Sequence, residues 1–321
     1  MTFVIAAMML VCSAALASGA AAAAYPERPI RLVVPFPPGG STDTVARLVA
    51  QDAGERLGQQ IVIDNRSGAS GAIGVEIAAR AAPDGYTWVL GTTSTHAISP
   101  ATNPRLTYDP LISFTPATLL GDAPYFVLVH PSISAHNVKE LIALARTQPG
   151  MLHYASAGNA TLAHFAGELF KSRAGVELTH VPYKGSAPAL IDLLAGRVEI
   201  QFGSIPPALP YIHTGKLRAL AVTSARRISA APAIVTVAES GLPGYEAVLW
   251  IAVLLPAGSP AHLVDAVNRT LAEVVSRPQL NQALQAQGLE PRTTSPQELT
   301  SLIRSEVRKW GELAHQVGTG R

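Results

Sequence analysis

The chain has 321 residues, enough for about two domains. Only 14% of them are charged, against roughly 25% in an average globular protein. A net charge of +2 is too mild to argue for nucleic acid or an anionic membrane surface as partner.

Residues 1–24 carry no charge and read as a signal peptide. An apolar core from Phe3 to Leu16 is followed by small residues ending in Ala22-Ala23-Ala24, which favours cleavage before Tyr25. A cut after Ala17 is the second choice. No Lys or Arg precedes the core. A membrane anchor is the competing reading, but the core is short and no stop-transfer charge follows it. Cys12 is the only cysteine, and Met9-Leu10-Val11 before it lack the small residue of a lipoprotein signal. The mature chain, expected in the periplasm, therefore has neither a disulfide nor thiol chemistry. No later apolar run reaches the ~18 residues of a spanning helix. The longest, Val248 to Leu255, reads as a buried strand.

The elements then follow in order. Ile30 to Val34 is a strand, and Pro37-Pro38-Gly39-Gly40 is a stiff connection ending in a flexible one. Ser41 or Thr42 is expected to cap a helix over Asp43 to Leu57. Gln60 to Ile63 is a strand. Ser67, Gly68, Ser70 and Gly71 make a second glycine–serine turn before a helix through Val75, Ile77 and Ala78. Thr87 to Leu90 is a strand that opens into a hydroxyl-rich run, Thr92-Thr93-Ser94-Thr95-His96.

Tyr125 to Val129 is a stronger strand, bounded by Pro124 and Pro131, and the pattern repeats after it. Val138 to Arg146 is a helix. Leu152 to Ala155 is a strand opening into Ser156-Ala157-Gly158-Asn159-Ala160-Thr161, followed by a helix through Leu162, Phe165, Leu169 and Phe170. Leu178 to Val181 opens into Pro182-Tyr183-Lys184-Gly185-Ser186, with Ser186 expected to cap the next helix. Glu199 to Phe202 and Leu217 to Val222 are strands with Pro207 to His213 between them. Residues 225–244 form a long connection, and Tyr245 to Leu255 is a second crossing strand. Two amphipathic helices close the chain, one carrying Leu263 to Val275 and one Leu299 to Leu313.

Strands alternating with helices argue for parallel sheets, which hold ligands beyond their C-terminal strand ends. A short glycine motif alone is weak evidence of a ligand. The sequence has neither a P-loop lysine nor a G-x-G-x-x-G fingerprint. Here, however, glycine with Ser or Thr recurs at four strand-to-helix junctions, 39–42, 67–71, 156–161 and 185–186, two in each half of the chain. That distribution describes a hinged binding protein with one cleft.

The blocks PFPPGGSTDTVAR (35–47), RSGASGAIGVEIAARAAPDGYT (66–87), SAGNATLAHFAGELF (156–170), HVPYKGSAPALIDLLAGRVE (180–199) and GKLRALAVTSARR (215–227) carry a resemblance. Over essentially all of residues 25–321 the chain resembles the TctC or Bug family, the solute-binding proteins of tripartite tricarboxylate transporters. The resemblance implies an α/β, two-lobed periplasmic binding protein fold of type II. Each lobe would be a mainly parallel sheet flanked by helices, and two crossing strands would join them. One lobe would comprise 25–124 and 250–321, the other 125–249. The implied ligand is a small organic carboxylate and the implied partner a membrane permease, with no cofactor, no metal and a monomeric chain. Matching motifs carry over the ligand contacts Phe36, Gly40, Ser41, Thr42 and Asp43, then Thr92, Thr93, Ser94 and His96. Ser156, Gly158, Asn159, Thr161, Tyr183, Lys184, Gly185 and Ser186 complete the set. Two departures stand out: Gly203 replaces an acid that related chains carry, and SAAPAIVTVAESG lacks prolines found in them.

Two other functions compete. A periplasmic hydrolase would need a nucleophile, a base and an orienting group, but no G-x-S-x-G elbow is present and nothing selects Ser156 with His164. His164 reads as a packed or capping histidine. Nor is there an H-x-x-x-H pair for a metal. A periplasmic sensor that docks to a signalling protein uses the same closed lobes and is not separable by sequence.

Overall fold

The computed structural model describes residues 25–318. The expected signal peptide, residues 1–24, lies outside them. The first half begins with β1 (Ile30–Val34), α1 (Ser41–Leu57), β2 (Ile61–Asn65), α2 (Ala72–Ala79) and β3 (Thr87–Thr92). β1 pairs in parallel with both β2 and β3. Four of its five residues are buried, as expected of a strand covered on both faces. α1 turns Val45, Ala46, Val49, Ala50 and Ala53 inward and stops at Gly58, whose φ of 68° is open to glycine at little cost. After β3 come one wide π-helical turn, Ser94–Ile98, and the short α3 (Ser99–Thr102).

β4 (Phe114–Val129) is the strand that joins the two halves. Sequence reading found only its last part, Tyr125 to Val129. Pro116, Gly121 and Pro124 hid the rest, since prolines and glycines disfavour strand interiors. The ladder tolerates them by shifting register at Pro116/Thr118 and Leu119/Gly121. The second half follows with α4 (Val138–Thr147), β5 (His153–Ser156), α5 (Leu162–Ala174), β6 (Thr179–Pro182), α6 (Ser186–Leu194), β7 (Ile200–Ser204), α7 (Ile205–His213) and β8 (Arg218–Val222). β5 is parallel to β6 and β7, whereas β4 is antiparallel to β7 and β8.

The chain returns through β9 (Val248–Pro256), which lies antiparallel between β3 and β4. It starts three residues later than expected. Ala247 still donates its N–H to Thr223 in the second half, while Val248 already pairs with Pro124. α8 (Ala261–Ser276), α9 (Pro278–Ala286), β10 (Glu290–Pro291) and α10 (Pro296–Gln316) finish the fold. Three helices thus stand where two were expected, because Pro278 opens α9 at a position where its missing N–H costs nothing. The same proline tolerance, at Pro206 and Pro207, starts α7.

Each half is therefore a mixed sheet: β1, β2 and β3 are parallel with β9 antiparallel to β3 in the first, and β5, β6 and β7 are parallel with β4 antiparallel to β7 and to the edge strand β8 in the second. One apolar core runs from β1 and β3 through β9 and β4 to Phe165, Phe170 and Phe202 of the second half. A smaller one packs α6 and α7 on the other face of β4. The C-terminal ends of β1, β2, β5 and β6 lead into the four glycine-rich junctions, and that of β3 into the hydroxyl-rich run.

Candidate functional site

The first junction is shaped by Asp43. Its carboxylate is buried and accepts the Gly39 N–H at 2.9 Å, Arg47 Nε at 2.9 Å and Asn65 Nδ2 at 2.8 Å. Asn65 Nδ2 also donates to the Phe36 carbonyl at 3.1 Å, tying the loop to the end of β2. Burial works to raise the Asp43 pKa, but hydrogen bonds from Arg47, Gly39 and Asn65 prevail and hold it below its ordinary value. Asp43 was expected as a ligand contact; its oxygens are instead occupied by the loop itself. Ser41 and Thr42 do not cap α1 either. The N-cap is Gly40, without any side-chain cap, so the first N–H groups of α1 remain open to an external acceptor.

At the second junction Gly68, Ala69, Ser70 and Gly71 have φ of 130°, 47°, 55° and 96°. Successive residues of this kind turn N–H groups to one side. A Cβ at Gly71 would stand 2.6 Å from Thr95 Cγ2 and 3.4 Å from Phe36 Cζ. Only glycine lets three loops of the first half meet here.

The hydroxyl run after β3 behaves differently from expectation. Thr93 Oγ1 donates to Val248 O at 2.9 Å and accepts Trp250 N at 3.0 Å, fastening β3 to the returning strand. Thr92 and Thr95 hydroxyls bond each other at 3.2 Å, and Thr95 reaches His96 Nδ1 at 2.9 Å. His96 has no exposed surface and sits among Tyr108, Phe114 and Trp250. Burial pushes its pKa down to about 3. Thr92, Thr93 and His96, all expected to touch ligand, therefore serve the core, because their side chains point back under the turn. Ser94 alone faces the second half, where its Oγ accepts the Leu162 N–H at the start of α5, 3.2 Å away.

In the second half the loop 156–161 is braced from beneath. Ser156 Oγ lies 2.6 Å from His180 Nε2 and accepts the Gly158 N–H at 3.1 Å. Thr161 Oγ1 donates to Gly158 O at 2.7 Å and accepts the His164 N–H at 3.4 Å as the cap of α5. Tyr183 turns its phenol away to Asp192 Oδ2 at 2.8 Å, with Arg197 on the other carboxylate oxygen at 2.7 Å. Gly185, not Ser186, is the N-cap of α6 and again no side chain caps the helix. Lys184 is exposed. The remaining cation near the junctions, Arg66, bonds Asp64 at 2.8 Å.

Between the junctions, two hydrogen bonds among the described residues join the halves at a seam: Ser94 to Leu162, and Ser70 Oγ to the Asn159 carbonyl at 3.1 Å. Ser94 and Asn159 take part in these bonds, Thr161 caps the helix that Ser94 meets, and Phe36 lies beside Gly71. Ser70, His164 and His180 are residues that the expected contact set omitted. Ser70 was visible as part of a glycine–serine turn and His164 as a packed or capping histidine, whereas His180 gives no sequence signal because Ser156, 24 residues away, reaches it only through the fold. Ser94→Ala should favour an open pair of lobes. Small-angle scattering of the ligand-free variant is expected to give a larger radius of gyration than wild type, and an unchanged profile would count against Ser94 as a closing contact.

The model of the tripartite tricarboxylate transporter family receptor matches residues 45–319. BugT of Bordetella pertussis is 36% identical over 311 residues, covering 97% of this chain and 95% of BugT. Among solved structures, R. palustris Rpa4515 with adipate superposes with a TM-score of 0.84 at 39% identity, over 92% of this chain and 98% of that one. MatC from Rhodopseudomonas palustris with bound malate gives 0.79 at 30% identity, over 90% of this chain and 99% of that one.

Proposed function

Because the chain belongs to the TctC/Bug family of tripartite tricarboxylate transporter receptors, which are solute-binding proteins rather than enzymes, we propose that it captures a small dicarboxylate between its two lobes and delivers it to a tripartite membrane permease. Residues 25–124 with 250–321 make one lobe and 125–249 the other. The protein works in the periplasm after removal of residues 1–24.

The observation that carries this reading is the pair of uncapped helix N-termini, α1 at Gly40 and α6 at Gly185, one on each lobe, at strand ends beside the closed seam. Each offers open N–H groups and the positive end of a helix dipole. Donors on both sides suit an acid with two charged ends, and adipate and malate in the two related structures are such acids. Gly40, Ser41, Thr42, Ser70, Gly158, Asn159, Lys184, Gly185 and Ser186 supply the contacts.

Magnitudes favour many neutral donors over one clamp. A hydrogen bond to a charged group contributes roughly 1.5–3 kcal/mol, and a helix terminus about 0.3–2 kcal/mol. A micromolar complex needs about −8 kcal/mol after association costs of about 4–15 kcal/mol. Two or three such bonds in an open cleft fall short, so donors from both lobes and the exclusion of water on closure are needed together.

Calorimetry against mono-, di- and tricarboxylates tests this. Dicarboxylates should bind most tightly, with little dependence on salt because buried dipoles are screened less than exposed charges. Ser41→Ala should weaken binding more than Arg66→Gln, since the Arg66 guanidinium is already held by Asp64. Failure of every carboxylate to bind, or a loss confined to the Arg66 variant, would sink the proposal.

A further inference from the structure

Beneath the loop 156–161 lies a buried cluster that no ligand contact explains. His164, 7% exposed, stacks on His180 with ring centroids 4.1 Å apart and an interplanar angle of 18°. His180 stacks in turn on Tyr154 at 4.9 Å. The Tyr154 hydroxyl donates to Glu168 Oε1 at 2.5 Å, and Lys171 Nζ bonds both Glu168 oxygens at 3.0 and 2.9 Å. His164 Nδ1 accepts the N–H of Ala160 at 3.3 Å.

That last bond fixes the chemistry of the ring. A backbone N–H only donates, so Nδ1 must be the unprotonated nitrogen and the ring proton sits on Nε2. Nε2 faces Glu168 Oε1 at 4.0 Å. A second proton has one place to go, Nδ1, where it would set a donor against the Ala160 N–H. His180 differs. Its Nε2 meets the Ser156 hydroxyl, which accepts or donates as required. Ala160 itself has a φ of 56°, which an L-residue keeps only when held. Its neighbour Asn159 makes the bond to Ser70 across the seam.

We propose that His164 is a positioning residue for ligand binding, holding the cleft loop 156–161 through Ala160 while its Nδ1 is free of a proton and releasing it in acid. The groups facing the two rings are Glu168 and Lys171 on α5, Tyr154 on β5 and the rings themselves. Burial lowers the His164 pKa, the Glu168 charge raises it and Lys171 lowers it again, with a net fall. Burial, then His164, lowers that of His180 to about 4. Both are neutral at neutral pH, and the hold weakens as the pH drops below the ordinary histidine range near ~6.5. Two stacked positive charges would also repel, so the pair does not share the load in acid.

This rests on the cleft reading above, and the experiment separates the two. His164→Asn keeps an acceptor where Nδ1 stood but cannot titrate. His164→Phe keeps the ring and loses the acceptor. Affinity for adipate is measured at about pH 7.5 and about pH 4, well below the ordinary histidine range, together with hydrogen exchange of the Ala160 amide without ligand. Wild type should lose about tenfold more affinity in acid than His164→Asn, the equivalent of one hydrogen bond. Protonation of adipate itself affects all variants alike. His164→Phe should bind weakly at both values while unfolding near the wild-type temperature. Wild-type affinity in His164→Phe, or the same acid loss in His164→Asn as in wild type, would overturn the proposal. If adipate does not bind wild type, the tightest carboxylate of the panel replaces it; if none binds, the cleft reading fails and the exchange data decide alone. Protection of Ala160 lost in acid and in His164→Phe supports the positioning role, and equal protection in all three proteins refutes it.

Discussion

Asp43→Ala is expected to destabilise the protein by about 2–4 kcal/mol and to weaken dicarboxylate binding by at least about tenfold. The carboxylate is buried and holds Gly39, Arg47 and Asn65 at once. Removing one partner of a wholly buried pair costs about 3–5 kcal/mol. The loss here is smaller because the Arg47 side chain is 52% exposed and finds water. Binding suffers more than stability suggests, since the loop that loses its tether carries the N-terminus of α1. The folded pKa lies below the ordinary value, so this contribution is complete above the unfolded value near ~3.9 and is lost as pH falls through the folded one. Urea unfolding and calorimetry on the variant check both numbers. Wild-type affinity in Asp43→Ala would mean that the loop keeps its shape without the carboxylate.

Trp310→Ala should cost about 3–5 kcal/mol, the range for truncating a large buried aromatic. Trp310 is fully buried on α10, its Nε1 donating to Glu306 at 2.8 Å. It meets Phe165 of the second half edge to face at 6.0 Å. α10 belongs to the C-terminal segment yet packs beneath the Ser94–Ile98 turn, so the cavity would loosen the turn that supplies Ser94 and the helix that receives it. The urea midpoint should fall strongly in Trp310→Ala and less in Trp310→Phe, which refills part of the space. A loss under about 1 kcal/mol would show that this contact is dispensable to the core.

The fold was legible where local signals agree. β1 is a short apolar run and α1 repeats apolar residues at helical spacing, with a proline–glycine turn between them, and each is seen at its place within a residue or two. The junctions were legible for the same reason, because a strand end, a glycine and a hydroxyl residue are all local. Less legible was the first part of β4, where Pro116 and Pro124 contradict a strand that β9 nonetheless enforces. α7 and α9 were missed because prolines that read as breakers sit at helix starts.

The sequence by itself determined that this chain forms two α/β halves with glycine-rich turns at their strand ends, since periodicity and turn chemistry are properties of neighbours along the chain. It did not determine which hydroxyl or carboxylate is free to bind. Asp43, Thr93, His96 and Tyr183 carry the right chemistry at the right junctions, yet Asn65, Val248, Trp250 and Asp192 engage or enclose them. Only the tertiary structure decided that. A polar side chain's role depends on which partner reaches it first, and most of those partners arrive from distant parts of the chain.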